Sequence, residues 1–132
     1  MEKLAEKAIK KALELQNKRR LSFKDIGEIL RTQGVYLIGN NEGSVIYVGK
    51  AKVLRRRLKD DHVSGDNDGV TSTFRRKLCK TFGFKPGKEL KSWIIKNCQF
   101  AWVEIPHGDE TSLVEALLVY HYRSLGEKLL NT

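Results

Sequence analysis

Residues 34–49 read GVYLIGNNEGSVIYVG and predict a β-hairpin. Each end of this segment is a short run of β-branched and aromatic residues, and the Gly- and Asn-rich middle is typical of a turn. If Gly39 pairs with Ser44 across a four-residue loop, Tyr36 lies opposite Tyr47 and both phenols share one face of the sheet. A slip of one residue would separate the two phenols onto opposite faces.

Helices are predicted on both sides of this hairpin. Apolar residues at helical spacing predict helices over residues 2–20, 23–31, 52–61, 71–81, 87–96 and 109–125, and a β-rich run predicts a third strand over residues 98–105. Because helices separate the third strand from the hairpin, we expect an α+β (α/β) fold. Its sheet would be small, three-stranded and mainly antiparallel, and helices would flank it.

Composition restricts the class of protein. A chain of 132 residues with 40% hydrophobic and 31% charged residues is typical of one globular domain. No apolar run approaches the roughly 20 residues that span a bilayer, and the N-terminus has no segment like a signal peptide, so we expect a cytoplasmic protein. Cys79 and Cys98 form no CxxC pair, which argues against a zinc site or a disulfide framework.

The net charge of +9 is concentrated in the middle of the chain. Residues 50–96 alone carry a net charge of +9, whereas residues 97–132 are net acidic. Such a concentration favours a polyanionic partner, because lysine and arginine contacts release counterions from phosphate backbones. Charge alone leaves a merely soluble basic surface as an equal alternative.

Glu115 is the only charged residue in the segment 113–119. Helical spacing places it at the edge of a broad apolar face, where an ionised carboxylate is costly unless a cation compensates it. The pattern therefore predicts either a salt-bridged glutamate or a ligand of a metal ion.

The hairpin triplets carry a family resemblance. Residues 34–36 (GVY) and 47–49 (YVG), ten residues apart, resemble the two-part signature of the GIY-YIG nucleases, with Val replacing Ile in each half. The stretch KAKVLRRRL, residues 50–58, is similar to the same stretch in the catalytic domain of the bacterial excision-repair nuclease subunit. The stretch TSTFRRKL, residues 71–78, resembles a segment of small stand-alone members. The resemblance covers roughly residues 33–131 and implies a GIY-YIG endonuclease fold.

The resemblance also implies a division of the chain. Residues 32–132 would form the GIY-YIG nuclease domain, and residues 1–31 would be an N-terminal helical extension packed on the same domain. The extension is either a lid or a substrate-contacting segment, and the sequence does not decide between them.

By resemblance, Tyr36 and Tyr47 are active-site tyrosines, Lys50 is a nearby lysine and Arg57 is the catalytic arginine. Glu115 would bind one divalent ion, Mg²⁺ or Mn²⁺, and no small-molecule cofactor is expected. These residue types suit phosphodiester hydrolysis. A guanidinium donates a fork of hydrogen bonds to two phosphate oxygens, and a hard cation polarises the phosphoryl oxygen.

One of the tyrosines would orient or deprotonate the attacking water, and the sequence leaves open which one. The reference pKa of a phenol is about 10, so a base needs a lowered value. We expect Lys50 and Arg57 to lower the pKa of Tyr47. Without the signature, both tyrosines would be read as core residues of the sheet.

Two residues depart from the family pattern. Relatives carry His or Tyr four positions after the arginine, whereas His62 stands five positions after Arg57. Either the helix ends early and His62 turns into the site, or this role is missing. Asn131 matches the asparagine that follows the glutamate helix in relatives, but it lies 16 residues after Glu115, a longer gap than usual.

The function expected from the resemblance is metal-dependent hydrolysis of DNA by a structure- or damage-directed endonuclease acting in DNA repair. Nucleic acid, DNA in the first place, would be the partner, and no membrane is involved. The expected contacts to the DNA backbone come from six basic residues: Lys52, Arg55, Arg56, Arg75, Arg76 and Lys77.

Two alternatives explain part of the pattern. A non-catalytic nucleic-acid-binding module on the same fold would not need both tyrosines, the arginine and the glutamate together. A basic protein-interaction domain would account for the charge but not for the triplets. No recognisable sequence-specific DNA-binding domain accompanies the motifs, so we expect low sequence specificity.

Overall fold

The computed structural model describes residues 2–28, 32–63, 73–85 and 87–131. The predicted helices and strands all have counterparts within these ranges, although the parts predicted at residues 29–31 and 71–72 lie outside the described residues. The elements in chain order are α1 (Glu2–Asn17), β1 (Leu21–Ser22), a 3₁₀ helix (Phe23–Glu28), β2 (Gly34–Asn40), β3 (Val45–Ala51), a π-helix (Arg56–Val63), α2 (Thr73–Phe82), α3 (Lys88–Asn97), β4 (Cys98–Glu104) and α4 (Gly108–Ser124).

The sheet is antiparallel and has the strand order β1-β4-β2-β3. The prediction of an antiparallel sheet flanked by helices is confirmed, but the prediction of three strands is wrong. The fourth strand, β1, is two residues long and pairs Leu21 with Phe100 and Ser22 with Gln99. Two residues are too few to show an alternating pattern in the sequence. This strand is recognised only by its pairing with the edge of β4.

The hairpin register differs from the predicted one by two residues. Tyr36 lies opposite Gly49, and Tyr47 lies opposite Ile38, so the predicted pairing of Tyr36 with Tyr47 is wrong. Because side chains alternate with a period of two, a shift of two residues keeps both phenols on one face. The juxtaposition of the two tyrosines therefore survives the error in register.

The turn and a bulge each contribute one residue of this shift. Gly39 pairs with Val45 instead of Ser44, and the register changes again between Gly39 and Ile38. The side chain of Asn40 shapes the turn, because its Oδ1 accepts hydrogen bonds from the backbone N–H groups at positions 42 and 44. Gly43 adopts a φ of 87°, which glycine reaches without steric cost.

The two faces of the sheet bury two separate apolar clusters. On one face, α1 and α4 cover β2, β3 and β4, and Ala8, Ala12 and Leu15 of α1 are in this cluster. On the other face, the two tyrosines pack with residues from the 3₁₀ helix, the π-helix, α2 and α3. Alternation along β2 and β3 thus sends the tyrosines to the second face.

The C-terminal tail covers the edge strand β3. The backbone N–H of Leu130 donates to the carbonyl of Ile46 at 2.7 Å. Asn131 bonds both backbone groups of Val48, accepting from its N–H at 3.0 Å and donating to its carbonyl at 2.6 Å. These bonds satisfy backbone groups that an edge strand otherwise leaves unpaired.

Both cysteines are free thiols, with Cys98 buried and Cys79 half-buried. In the described ranges, no helix has the length and apolar character needed to cross a membrane.

Candidate active site

Three rings meet on the second face of the sheet. The centroids of Tyr36 and Tyr47 are 6.3 Å apart, and the His62 ring lies 5.4 Å from Tyr36 and 5.8 Å from Tyr47. Phe74, at the start of α2, packs 5.4 Å from Tyr47 and 5.3 Å from His62. Residues distant along the chain therefore converge beside the two strands.

The glycines of the two triplets are required by close approach. A Cβ atom at Gly49 would lie 2.3 Å from the phenolic oxygen of Tyr36, so the tyrosine crosses directly over this glycine. A Cβ atom at Gly34 would lie 2.0 Å from the carbonyl oxygen of Val103 on β4. Any side chain at either position would push the Tyr36 ring or the neighbouring strand out of place.

A π-helix explains the displaced histidine. Residues Arg56–Val63 form a helix in which hydrogen bonds join residues five apart, not four. His62, five positions after Arg57, thereby reaches the face that a residue four positions later would reach in an α-helix. Its Nε2 shares a hydrogen bond of 2.5 Å with the Tyr36 hydroxyl. Of the two alternatives for His62, the structure shows it turned into the site, through a wider helix and not an early end.

His62 is held as a neutral imidazole. It is 1% exposed, and burial lowers its pKa to about 3, with further lowering by the positive charges of Arg57 and Arg75. At neutral pH it carries no charge, so it interacts with Tyr36 as a neutral donor or acceptor.

Arg75 supports this histidine instead of facing DNA. Its side chain is only 1% exposed, and its Nη1 donates to the backbone carbonyl of His62 at 3.0 Å. The prediction that Arg75 contacts the DNA backbone is therefore wrong. Position 75 lies three residues before the buried Leu78, on the side of α2 that faces the core, and this spacing is the signal in the sequence that would have shown it.

Tyr47 borders the charged part of the site. It is 9% exposed, compared with 1% for Tyr36. Burial and the negative charge of Glu115 raise its pKa, while Arg57, a hydrogen bond with the Thr73 side chain and Arg76 lower it less. The expected lowering of the Tyr47 pKa is therefore not found, because burial and the carboxylate outweigh the cations.

A cleft of about 640 Å³ lies where the end of β3, the start of the π-helix and the first turn of α4 meet. Four of the residues that line it are basic, namely Lys50, Lys52, Arg56 and Arg57, and the first turn of α4 contributes Gly108 and Thr111. The volume and positive lining suit a phosphate group with its neighbouring sugars.

Glu115 lies on α4, one helical turn beyond Thr111. It is half-buried, and burial raises its pKa, which the charge of Lys50 counteracts. The Lys50 ammonium donates to Ser112 Oγ at 2.8 Å, which ties the end of β3 to the first half of α4. Glu115 interacts electrostatically with Lys50, which lines the cleft, and with Tyr47.

The donor set around Glu115 fits a hard cation held mainly by other ligands. Within the described ranges, no group of three or more His, Cys, Asp or Glu side chains could enclose a metal ion, and no hydrogen bond or ion pair reaches this carboxylate. A partly desolvated carboxylate without a bonded cation is a suitable single anchor for Mg²⁺, which keeps several waters and takes phosphate oxygens as ligands.

The remaining basic candidates differ in their exposure. Lys52, Arg56 and Arg76 are exposed, whereas Arg55 and Lys77 are half-buried. The sequence reasoning missed Thr73 and Ser112, whose hydroxyls orient Tyr47 and Lys50. Their only signal is position, since Thr73 begins α2 and Ser112 stands three residues before Glu115.

Comparison with known proteins places this geometry in context. A family model described as the GIY-YIG catalytic domain matches residues 21–127. Over 32 residues the chain is 62% identical to UvrABC system protein C of Protochlamydia amoebophila (strain UWE25). This stretch is 24% of the present chain and 5% of that protein.

Two crystal structures of the GIY-YIG N-terminal endonuclease domain of UvrC from Thermotoga maritima have the same fold. The magnesium-bound form is 24% identical, with 83% of this chain and 93% of that chain covered and a TM-score of 0.51. A point mutant bound to the catalytic divalent cation is 23% identical, with 83% and 92% covered and a TM-score of 0.51. The predicted family resemblance is confirmed.

Proposed function

Because the chain belongs to the GIY-YIG catalytic-domain family, we propose that it is a metal-dependent endonuclease that hydrolyses DNA phosphodiester bonds. The observation that carries the proposal is that two cations lining a basic cleft, Lys50 and Arg57, interact electrostatically with Glu115 and Tyr47, which also interact with each other. A binding module needs the basic lining, but it has no need for a half-buried carboxylate beside it.

Glu115 would hold one divalent ion, Mg²⁺ or Mn²⁺, with waters and phosphate oxygens as the other ligands. When bound, the ion polarises the phosphoryl oxygen and stabilises charge on the leaving oxygen. Lys50 lies close enough to Glu115 to favour the ionised carboxylate, which is the form that binds a cation.

Arg57 would bind the reacting phosphate. Its guanidinium lines the cleft and can donate two parallel hydrogen bonds to phosphate oxygens. These bonds strengthen as negative charge accumulates in the transition state, which is the requirement for catalysis as opposed to binding alone.

Tyr47, and not Tyr36, would orient the attacking water. Its phenol is the more exposed of the two and lies in the field of Glu115, Arg57 and Arg76. A divalent ion bound to Glu115 would offset its negative charge and so lower the pKa of Tyr47. A lower pKa makes the phenolate, the form that can accept a proton from water, more available. Tyr36 would hold the π-helix, and with it Arg57, in position through its hydrogen bond to His62.

The substrate contacts would involve Lys52 and Arg56 in the cleft and Arg76 outside it, supported by Arg55 and Lys77. These residues read phosphates and not bases, so we propose recognition of DNA structure or damage, in DNA repair in the cytoplasm. Residues 1–31 would be an extension packed on the nuclease domain, with no catalytic residue of their own.

The test is cleavage of supercoiled plasmid and flapped DNA with Mg²⁺, with Mn²⁺ and with EDTA. We expect metal-dependent nicking in the wild type and a loss of about 100-fold or more in Arg57→Ala and in Glu115→Ala. Arg19→Ala and Glu104→Ala remove exposed charges of the same type elsewhere and should keep activity.

Gel-shift measurements on the same variants separate binding from catalysis. Glu115→Ala should still bind DNA in EDTA. Wild-type binding without cleavage in either metal would contradict the nuclease and favour the non-catalytic binding module. Faster cleavage of an RNA strand of the same sequence would refute the preference for DNA.

A further inference from the structure

Three aromatic rings form an exposed cluster at the far end of α2. Phe82, Phe84 and Trp93 lie with ring centroids 5.2 to 6.2 Å apart, and each ring contacts the other two. Phe84 and Trp93 are partly buried against the core, whereas Phe82 is 56% exposed. We call these three residues the aromatic cluster. Its inner rings are held by the core, and its outer ring is presented to solvent.

The segment that carries the aromatic cluster is strongly basic. Residues 76–96 contain seven basic residues and one acidic residue. Lys80, Lys85 and Lys88 are exposed next to Phe82 and Phe84 in the sequence. A protein-binding patch is usually depleted of lysine compared with the rest of the surface, whereas aromatic rings set among basic residues are the arrangement that binds single-stranded nucleic acid.

The length of α2 separates the aromatic cluster from Tyr47. Thr73, which bonds Tyr47, begins α2, and Phe82 ends it. Nine residues of helix rise about 14 Å. Stacked nucleotides advance about 3.4 Å each along one strand, so a strand whose phosphate lies beside Tyr47 reaches Phe82 about four nucleotides away.

We propose that the aromatic cluster is a stacking site for an unpaired base, with Phe82 as the ring that the base contacts. Paired bases are already stacked inside a duplex and do not present a free face to Phe82, so the site would select substrates with a single-stranded segment. The proposal deepens the proposed nuclease function by naming the substrate class, and it rests on that function for the role of the bound strand.

Affinity for three labelled probes in EDTA tests the proposal. The probes are an oligothymidine of about 12 nucleotides, an abasic strand of the same length and a duplex of the same length. The abasic strand has the phosphates without the bases, so it separates stacking from charge. We expect Phe82→Ala to weaken oligothymidine binding about tenfold or more, with no change for the abasic strand or the duplex.

Conservative variants separate stacking from burial of apolar surface. Phe82→Tyr keeps the aromatic face and should bind oligothymidine like the wild type, whereas Phe82→Leu should lose as much as alanine. Lys80→Ala should weaken all three probes alike. The proposal would be overturned if Phe82→Ala lost no affinity for oligothymidine, or lost as much affinity for the abasic strand as for oligothymidine. Wild-type affinity of Phe82→Leu for oligothymidine would overturn it as well.

The two proposals fail separately. An absence of metal-dependent cleavage with base-selective binding through Phe82 would refute the nuclease alone. Cleavage by the wild type without base selectivity at Phe82 would refute the stacking site alone.

Discussion

Tyr36 and Tyr47 occupy one sheet face, 6.3 Å apart, yet their surroundings are opposite in character. Tyr36 is covered by the π-helix and bonds a neutral His62 over Gly49. Tyr47 is 9% exposed and lies among the charges of Arg57, Arg76 and Glu115. The same side chain on adjacent strands thus has an uncharged partner in one case and charged neighbours in the other.

This difference shows how one residue type serves two purposes in a small site. A buried phenol bonded to a neutral partner costs little and fixes the position of the helix that carries Arg57. A phenol next to charges of both signs has a proton affinity that changes when those charges change. Tyr36 and His62 would hold the helix that carries Arg57 in place, and Tyr47 would take part in the reaction.

The largest effect should distinguish the two phenols directly. Tyr47→Phe removes the hydroxyl that lies among the charges of Glu115 and Arg57 and should lower kcat by about 100- to 10,000-fold, as expected for loss of a group that moves or orients a proton. Tyr36→Phe keeps the ring and loses the bond to His62. We expect about a tenfold loss or less in kcat and a destabilisation of about 1 kcal/mol.

Single-turnover cleavage of flapped DNA and urea unfolding measure these two quantities. The comparison would be reversed if Tyr36→Phe abolished cleavage at unchanged stability while Tyr47→Phe kept most of the rate.

A smaller effect, on the pH dependence of stability, should report on the burial of His62. His62 has a pKa of about 3 in the fold and an ordinary value of 6.5 in the unfolded chain. As the pH falls below 6.5, the unfolded chain takes up the proton first, so the free energy of unfolding decreases until the pH reaches the folded value. Between about pH 6.5 and about pH 5 this residue should remove about 2 kcal/mol of stability.

Urea unfolding of His62→Gln across this range tests the assignment. The variant should show a shallower loss of stability with falling pH than the wild type. Identical slopes in His62→Gln and the wild type would mean that the imidazole is not held neutral.

The smallest expected effect is a change in the pKa of the Tyr47 phenol. In the absence of metal, Glu115→Gln removes a negative charge near Tyr47 and should lower the pKa of its phenol, whereas Arg57→Ala should raise it. Ring-labelled tyrosine followed by NMR through an alkaline titration gives the value, with the Tyr47 signal assigned from its disappearance in Tyr47→Phe.

Glu104→Gln removes an exposed charge at the end of β4 and serves as the control for this titration. A Tyr47 titration that does not move in Glu115→Gln would separate the carboxylate from the phenol and weaken the proposed site.

The sequence predicted most of the elements because their periodicity is local. The alternating residues of β2 and β3 and the helical spacing of the buried Val114, Leu118 and Tyr122 report which face of each element is apolar. β1 has too few residues to alternate. The hairpin register differs by one residue because of the turn at Asn40 and by one more because of the bulge between Ile38 and Gly39. Local patterns do not contain that information.

The candidate site follows the same division. The residue types and their spacing, Tyr36 and Tyr47 with Arg57 ten positions later, indicate the chemistry through residue identity and short-range order alone. The burial of Arg75 and the inward turn of His62 depend on a helix that is wider by one residue. Such a change in hydrogen bonding is set by packing against the sheet and not by the propensity of any one residue.

The amino-acid sequence by itself determined the family, the class of fold and the set of side chains available for chemistry, because all three are written in the types of residue and their local spacing. The tertiary structure alone decided which tyrosine lies among charged side chains, which arginine is buried and that His62 is uncharged. These properties depend on solvent access and on the distance between charges, and both arise only when segments far apart in the chain are packed together.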